Sequence, residues 1–219
     1  MTDSKSIMCF GDSLTWGWIP VVEGAPTQRY AYEKRWTGVM SNELGNDYRI
    51  IEEGLSARTT SADDPNDPRL NGSEYLPSAL ASHLPLDLVI VMLGTNDTKS
   101  FFHRTPFEIA NGLGKLLSQI GGCAGGVGTM YPAPKTLVVA PPPLTDMPHP
   151  FFQGMFGGGH EKTVHFAQQF RDLADFMKVD FFNAADVIST DGCDGIHFTE
   201  KNNETLGKAL AVKVREVLS

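Results

Sequence analysis

The chain has 219 residues, 18 basic against 26 acidic for a net charge of −8, and 41% hydrophobic content. A chain of this length buries a core without disulfides or metals, and a net acidic sequence with no basic run is not expected to bind nucleic acid or an anionic membrane. It has no run of eighteen apolar residues and no leader with a charged start, an apolar segment and a small-residue cleavage site, so a soluble cytoplasmic protein is expected.

In chain order, short apolar runs alternate with segments of helical spacing. Residues 6–10 predict a strand and 36–44 a helix, 48–53 a strand and 73–83 a helix, 86–93 a strand and 106–120 a helix. Strands over 136–140 and 179–182 and helices over 161–177 and 200–218 complete the pattern. The run Leu88-Val-Ile-Val-Met-Leu93 is apolar throughout, as expected of a central parallel strand covered on both faces. Thr105 before Pro106, and Thr199 before Glu200, read as helix starts. Five strands alternating with five helices predict an α/β fold, a three-layer αβα sandwich around a five-stranded parallel sheet, in one domain spanning 1–219. Ligands of such sheets bind outside the carboxyl ends of the strands, so the motifs of interest are those that follow strands.

Two long connections, 20–35 and 56–72, and an excess of Gly and Pro interrupt this regularity. Residues 121–160 hold nine Gly and seven Pro with only two charges, Lys135 and Asp146. That composition excludes a long helix, while Phe151, Phe152, Met155 and Phe156 argue against a disordered linker. The stretch at about 141–160 is therefore expected to be an ordered apolar excursion that narrows a channel and packs against a neighbouring subunit. Cys9, Cys123 and Cys193 are odd in number, widely spaced and without a CxxC pair, and are expected to be reduced and structural.

Gly11-Asp12-Ser13-Leu14-Thr15 follows the first strand, where a serine can project its hydroxyl out of the sheet; the alternative is a plain helix cap. Gly94-Thr95-Asn96-Asp97 follows the third strand. Its Asn carboxamide can donate to a developing oxyanion, or the segment can be a turn and cap. Near the end, Asp191-Gly192-Cys193-Asp194-Gly195-Ile196-His197 can bring a carboxylate to one imidazole nitrogen and leave the other for a nucleophile, with Asp194 or Asp191 as the carboxylate. Together these supply nucleophile, oxyanion donor, base and orienter for acyl transfer. No HExxH, calcium loop, Walker A or GxGxxG sequence is present, so neither metal nor cofactor is expected.

At these residues the sequence resembles the SGNH (GDSL) hydrolase family. Gly11-Asp12-Ser13-Leu14 looks like its nucleophile block, Gly94-Thr95-Asn96-Asp97 its asparagine block and Asp194-Gly195-Ile196-His197 its DxxH block. In the second block the family usually presents a glycine whose N–H joins the oxyanion hole; here Ala57 aligns with that place, with Gly54 as the alternative. An alanine keeps that donor if its φ is negative. The runs Gly11-Asp-Ser-Leu-Thr-Trp-Gly-Trp18, Asp64-Pro-Asn-Asp-Pro-Arg-Leu-Asn-Gly72, Tyr131-Pro-Ala-Pro-Lys135 and Met147-Pro-His-Pro-Phe-Phe152 are similar to the aryl esterase and acyltransferase branch. That resemblance implies the family's flavodoxin-like fold, a short-chain (acetyl-type) and aryl ester substrate, acyl transfer to alcohols or peroxide, and an octamer.

The site expected on this basis has Ser13, Asp194 and His197 as catalytic residues and Ser13, Ala57 and Asn96 as the oxyanion hole. Asp12, Trp16, Gly54 and Phe152 are the candidate substrate contacts. Trp16 and Trp18 either wall the acyl pocket or pack the first helix. Two rival classes are a magnesium-dependent phosphatase with Asp12 as nucleophile and a non-catalytic α/β binding module; neither accounts for the Asp194/His197 pair. A carbohydrate acetyl esterase of the same family is the alternative within it.

Overall fold

Alternation along the strands decides where the helices lie. In the computed structural model, which describes residues 4–219, β1 (Lys5–Gly11), β2 (Tyr48–Gly54), β3 (Leu88–Met92), β4 (Lys135–Ala140) and β5 (Asp180–Asn183) form one sheet in the order β2-β1-β3-β4-β5. Every neighbouring pair is parallel. Ile7, Cys9, Leu88, Ile90, Leu137 and Val139 point to one face, where α2 (Trp36–Leu44) and α8 (Glu200–Leu218) cover them. Met8, Phe10, Val89, Val91, Val138 and Ala140 point to the other, under α3 (Gly72–His83), α4 (Pro106–Gly121) and α7 (Phe166–Met177). The result is the three-layer αβα sandwich with a five-stranded parallel sheet, because right-handed crossovers between parallel strands put helices on both faces.

Helix starts follow their caps. Thr105 and Glu108 form a reciprocal capping box ahead of Pro106, which satisfies two of the helix's free N–H donors. Thr199 precedes α8, but its side chain makes no cap bond; it is turned to Asp191 instead. The helix expected over 161–177 is broken into α6 (Gly159–Thr163) and α7. Thr163 Oγ donates to carbonyls of its own turn and accepts Leu144 N–H at 3.0 Å, a local competition that ends helices.

The Gly/Pro-rich stretch is ordered as a loop after α4 and, after β4, as the short helix α5 (Pro150–Met155) followed by α6. After β4 its apolar residues are mostly consumed within the chain, whereas Val127 and Met130 in the loop after α4 are exposed. Leu144, Met147, Phe156 and Ile196 form a small cluster with Phe152 and Met155 against it, and Phe151 alone of the four expected patch residues is widely exposed, at 63%. Among the described residues no helix is long and apolar enough to cross a membrane. The cysteines are all free. Cys9 belongs to the core, but Cys193 is exposed on the loop before α8, so the structural role expected for it does not hold.

Candidate active site

The end of β1 sets the site. Gly11 lies level with Gly54 of β2 and Met92 of β3, and Ser13, two residues on, opens the four-residue helix α1 (Ser13–Trp16). Asp12 is the cap, its Oδ1 accepting Leu14 N–H at 2.9 Å. The cap and the projecting serine are therefore two different residues, and both readings of the motif are realised. The N–H of Ser13, first in its helix, has no acceptor among the described residues, as expected of a helix start.

The loop before α8 meets this serine. His197 Nε2 is 2.8 Å from Ser13 Oγ, and His197 Nδ1 is 2.7 Å from Asp194 Oδ2. With Nδ1–H donating to the carboxylate, Nε2 is left to accept the serine O–H. Asp194 Oδ1 also accepts the N–H groups of Ile196, at 3.0 Å, and His197, at 2.9 Å. Burial alone would raise the Asp194 pKa, but its bonds to His197 and Ile196 and the charge of an imidazolium outweigh that, so it lies below the usual carboxylate value. Gly195 makes the turn possible: its φ is +76°, and a Cβ there would sit 2.5 Å from the carbonyl oxygen of Asp146. Asp191, the alternative carboxylate, instead accepts Thr199 N–H at 2.8 Å.

Two further turns aim donors at the same place. Arg58 N–H bonds the Leu55 carbonyl at 3.1 Å, and this tight turn holds Ala57 at φ +69°. The negative φ on which the sequence argument depended is thus not found. Alanine occupies a left-handed position that favours glycine, yet its N–H is free of any acceptor among the described residues. Asn96 lies in the turn after β3, with its carboxamide 3.3 Å from Asp12 Oδ2. The two turns are tied together by Asp97, which is fully buried and accepts Thr60 N–H at 2.9 Å, Thr60 Oγ–H at 2.6 Å and Arg104 at 2.6 Å. Burial raises the pKa of Asp97, against its hydrogen bonds to Thr60 and the Arg104 charge. It also lifts Asp12 to about 7, despite its bond to Leu14 and the nearby Arg58.

Above these groups opens a cavity of about 200 Å³ lined by Ser13, Asn96, Ala57 and His197 and walled by Trp18, Phe152, Met155 and Phe156. The Trp18 ring stacks on the His197 imidazole, centroids 5.2 Å apart and planes within 15°. Among the described residues no group of three or more His, Cys, Asp or Glu side chains is placed to hold a metal ion.

A family model for the GDSL-like lipase/acylhydrolase family matches residues 9–204. The chain belongs to that family. Among solved structures it is similar to Est24, a carbohydrate acetylesterase from Sinorhizobium meliloti, at 69% identity and a TM-score of 0.97 over 98% of this chain and 100% of that one. It is similar to the aryl esterase of M. smegmatis at 65% identity, again with a TM-score of 0.97 and the same coverage. A second carbohydrate acetylesterase family member from Sinorhizobium meliloti is 37% identical, with a TM-score of 0.87 over 98% of this chain and 99% of that one. Among curated proteins none matches.

Within this acylhydrolase fold, three of the four expected substrate contacts are placed elsewhere. Asp12 is fully buried beneath the cavity, where it caps α1 and holds Asn96. Trp16 lies outside the cavity lining, under the Arg29 guanidinium, which is 5.2 Å from its ring centroid. Gly54 is needed for packing rather than as a donor to substrate: a Cβ there would lie 2.4 Å from Trp16 N. Phe152 lines the cavity. The sequence reading missed Lys99, Ser56, Ala25 and Ile196, which also line it. It also missed Arg58, whose buried guanidinium donates to the Gly11 carbonyl at 3.0 Å and lies 4.2 Å from the Phe10 ring centroid. Burial draws the Arg58 pKa down to about 10, against the pull of Glu53, Tyr75 and Asp12. Only its position one residue past Ala57 signalled it.

Proposed function

We propose that this chain is a serine esterase that cleaves short-chain, acetyl-type esters, aryl esters among them, through an acyl-enzyme. The observation that carries the reading is the unbroken chain Asp194–His197–Ser13, at 2.7 and 2.8 Å, beside the Asn96 carboxamide and the N–H groups of Ser13 and Ala57, which have no acceptor among the described residues. His197 Nε2 takes the Ser13 proton as Oγ attacks the ester carbonyl, and the oxyanion is held by Ser13 N–H, Ala57 N–H and Asn96 Nδ2–H. Asp194 fixes the imidazole tautomer and stabilises the imidazolium. The tetrahedral intermediate collapses, the C–O bond to the alcohol breaks, and the alcohol leaves with the proton from Nε2. Water, an alcohol or peroxide then gives its proton to His197 Nε2 as it attacks the acyl carbonyl, the bond to Ser13 Oγ breaks, and the imidazolium returns the proton to Oγ, which regenerates Ser13 and neutral His197.

A small cavity bounded by Phe152 and Phe156 favours short acyl groups, and walls of Trp18, Met155 and Ile196 favour organic acceptors over water. On the alcohol side the similar structures divide between aryl and carbohydrate esters, so a carbohydrate acetyl esterase is the second reading. The same proposal covers a single domain over 1–219 acting in the cytoplasm as a homo-oligomer, an octamer by family resemblance, with exposed Phe151 at a subunit contact; Phe151→Ser should lower the oligomer mass. The test of the chemistry is labelling by an aryl organophosphonate. A single adduct on Ser13, detected by peptide mass, is expected together with acetate release from aryl acetates. No adduct, or an adduct on another serine, would overturn the assignment.

A further inference from the structure

Six residues with polar side chains line the cavity, and the mechanism above uses four of them, leaving Ser56 and Lys99. Ser56 is small and neutral. Lys99 is a cation, the last residue of the turn that carries Asn96, and its side chain is only 7% exposed. A buried ammonium is costly unless its three donors are engaged. Among the described residues the one carboxylate within 4 Å of its Nζ is Asp64, with Oδ2 at 3.5 Å, and the Phe101 ring centroid is 6.0 Å away. Asp64 is itself committed elsewhere, its Oδ1 accepting Asn66 N–H at 2.9 Å. Burial pulls the Lys99 pKa down, opposed by Asp64 and, further off, by Asp12 and Asp97. A well-made structural pair would be shorter, with the remaining donors on carbonyls. Lys162 shows that geometry nearby, donating to the Thr98 carbonyl at 3.1 Å.

We infer that Lys99 is a substrate-binding residue, a hydrogen-bond donor beside the apolar walls of the cavity that selects esters carrying a second oxygen acceptor near the scissile bond. The chemistry it would recognise is a hydroxyl or a carboxylate oxygen on the alcohol or acyl part. This deepens the esterase reading and rests on it. It also gives the site a reason to prefer oxygen-rich esters that its hydrophobic walls alone would not supply, since a site built to bond an oxygen discriminates against the isostere that lacks it.

The test compares acetates of similar size: propyl acetate, its isostere 2-hydroxyethyl acetate, and acetoxyacetate, each by kcat/KM. In Lys99→Met the ratio of an oxygen-bearing ester to propyl acetate should fall about tenfold, and in Lys99→Arg it should stay within about threefold. A fall with 2-hydroxyethyl acetate identifies a hydroxyl as the acceptor, and a fall confined to acetoxyacetate identifies a carboxylate; a fall with neither overturns the inference. Asp64→Asn keeps the ammonium but removes its anchor, so it decides the matter even where Lys99→Met does not fold. The inference predicts a raised ratio, because the freed ammonium bonds the second oxygen of the ester better; a purely structural pair leaves the ratio unchanged, and an unchanged or lowered ratio would overturn the inference. Failure of the esterase reading looks different, because the unaltered protein would then turn over none of the three acetates.

Discussion

The floor of the cavity and its wall are held together in different ways. On the floor, Ser13, Asn96, Asp194 and His197 are each fixed by at least one directional bond, and the anchors beneath them, Asp12, Asp97 and Arg58, are buried titratable groups. In the wall, the side chains of Trp18, Phe152, Met155 and Phe156 are placed by ring stacking and apolar contact, on the chain that follows α1 and on α5 and the turn after it. Directional bonds fix atoms to within fractions of an ångström, as proton transfer needs, while apolar packing fixes only volume. Changes to the floor should therefore cost orders of magnitude in rate, and changes to the wall should alter which ester is used.

The largest expected effect is the loss of the nucleophile. Ser13→Ala should lower kcat on an aryl acetate by about 10⁶-fold with little change in thermal stability, since Asp12 rather than Ser13 caps α1. Turnover within tenfold of the unaltered protein would remove the floor from the chemistry altogether. Next comes the oxyanion donor: Asn96→Ala should cost about 10²–10³ in kcat with KM nearly unchanged. A rise in KM at constant kcat would mean that Asn96 binds ground-state substrate instead.

The floor's buried carboxyl Asp12 also has a thermodynamic signature. Asp12 is raised to about 7 by burial, with Arg58, Asn96 and Leu14 N–H opposing and Asp97 reinforcing the shift. A folded-state carboxyl that holds its proton more tightly than the unfolded one stabilises the fold at low pH, and that stabilisation is lost as pH rises from about 4 to about 7. Relative to Asp12→Asn, the unaltered protein should therefore lose on the order of 3 kcal/mol across that window, measured by urea unfolding at each pH. A difference that does not vary with pH would show that Asp12 is ionised throughout.

Legibility in the sequence follows the same division. The five strands and the blocks around Ser13, Asn96 and Asp194 were readable because each is local: a strand end, a turn signal and the side chain that the turn presents. The choices that went astray depend on contacts between distant segments. Helical spacing does not say whether Trp16 or Trp18 faces the cavity, because α1 ends after one turn and the chain reverses at Gly17. Gly54 is fixed as a packing residue only by its approach to Trp16 N, across the β1 and β2 ends. Asp191 and Asp194 are equivalent in sequence, and only the turn at Gly195 separates them. Lys99 carries no motif, since its meaning comes from Asp64 in another loop.

In the wall, Phe152 closes the gap between α5 and the connection over 20–35: its ring occupies the space above Gly24, where a Cβ would lie 2.1 Å from Phe152 Cε2. Phe152→Ala should raise the kcat/KM ratio of hexanoyl to acetyl esters about tenfold, the scale of a few methylenes in an apolar pocket, with the acetyl rate falling much less than in Asn96→Ala. An unchanged chain-length profile would mean that the segment limits something other than acyl size.

The smallest effect tests whether the floor's backbone donor depends on its side chain. Ala57 at φ +69° bears the steric cost of a left-handed residue, about 1–2 kcal/mol. Glycine removes that cost but has more chain entropy to lose on folding, by roughly 0.5–1 kcal/mol. Ala57→Gly should therefore stabilise the protein slightly, by about 0.5 kcal/mol or 1–2 °C in Tm, while kcat stays within twofold because the N–H is unchanged. Ala57→Val, with a branched Cβ forced into the same turn, should lose both stability and rate. If Ala57→Gly lowers both instead, the methyl group is itself part of the wall, and the separation of a directional floor from a volume-filling wall fails at a residue that lines the cavity and whose backbone N–H is the proposed oxyanion donor.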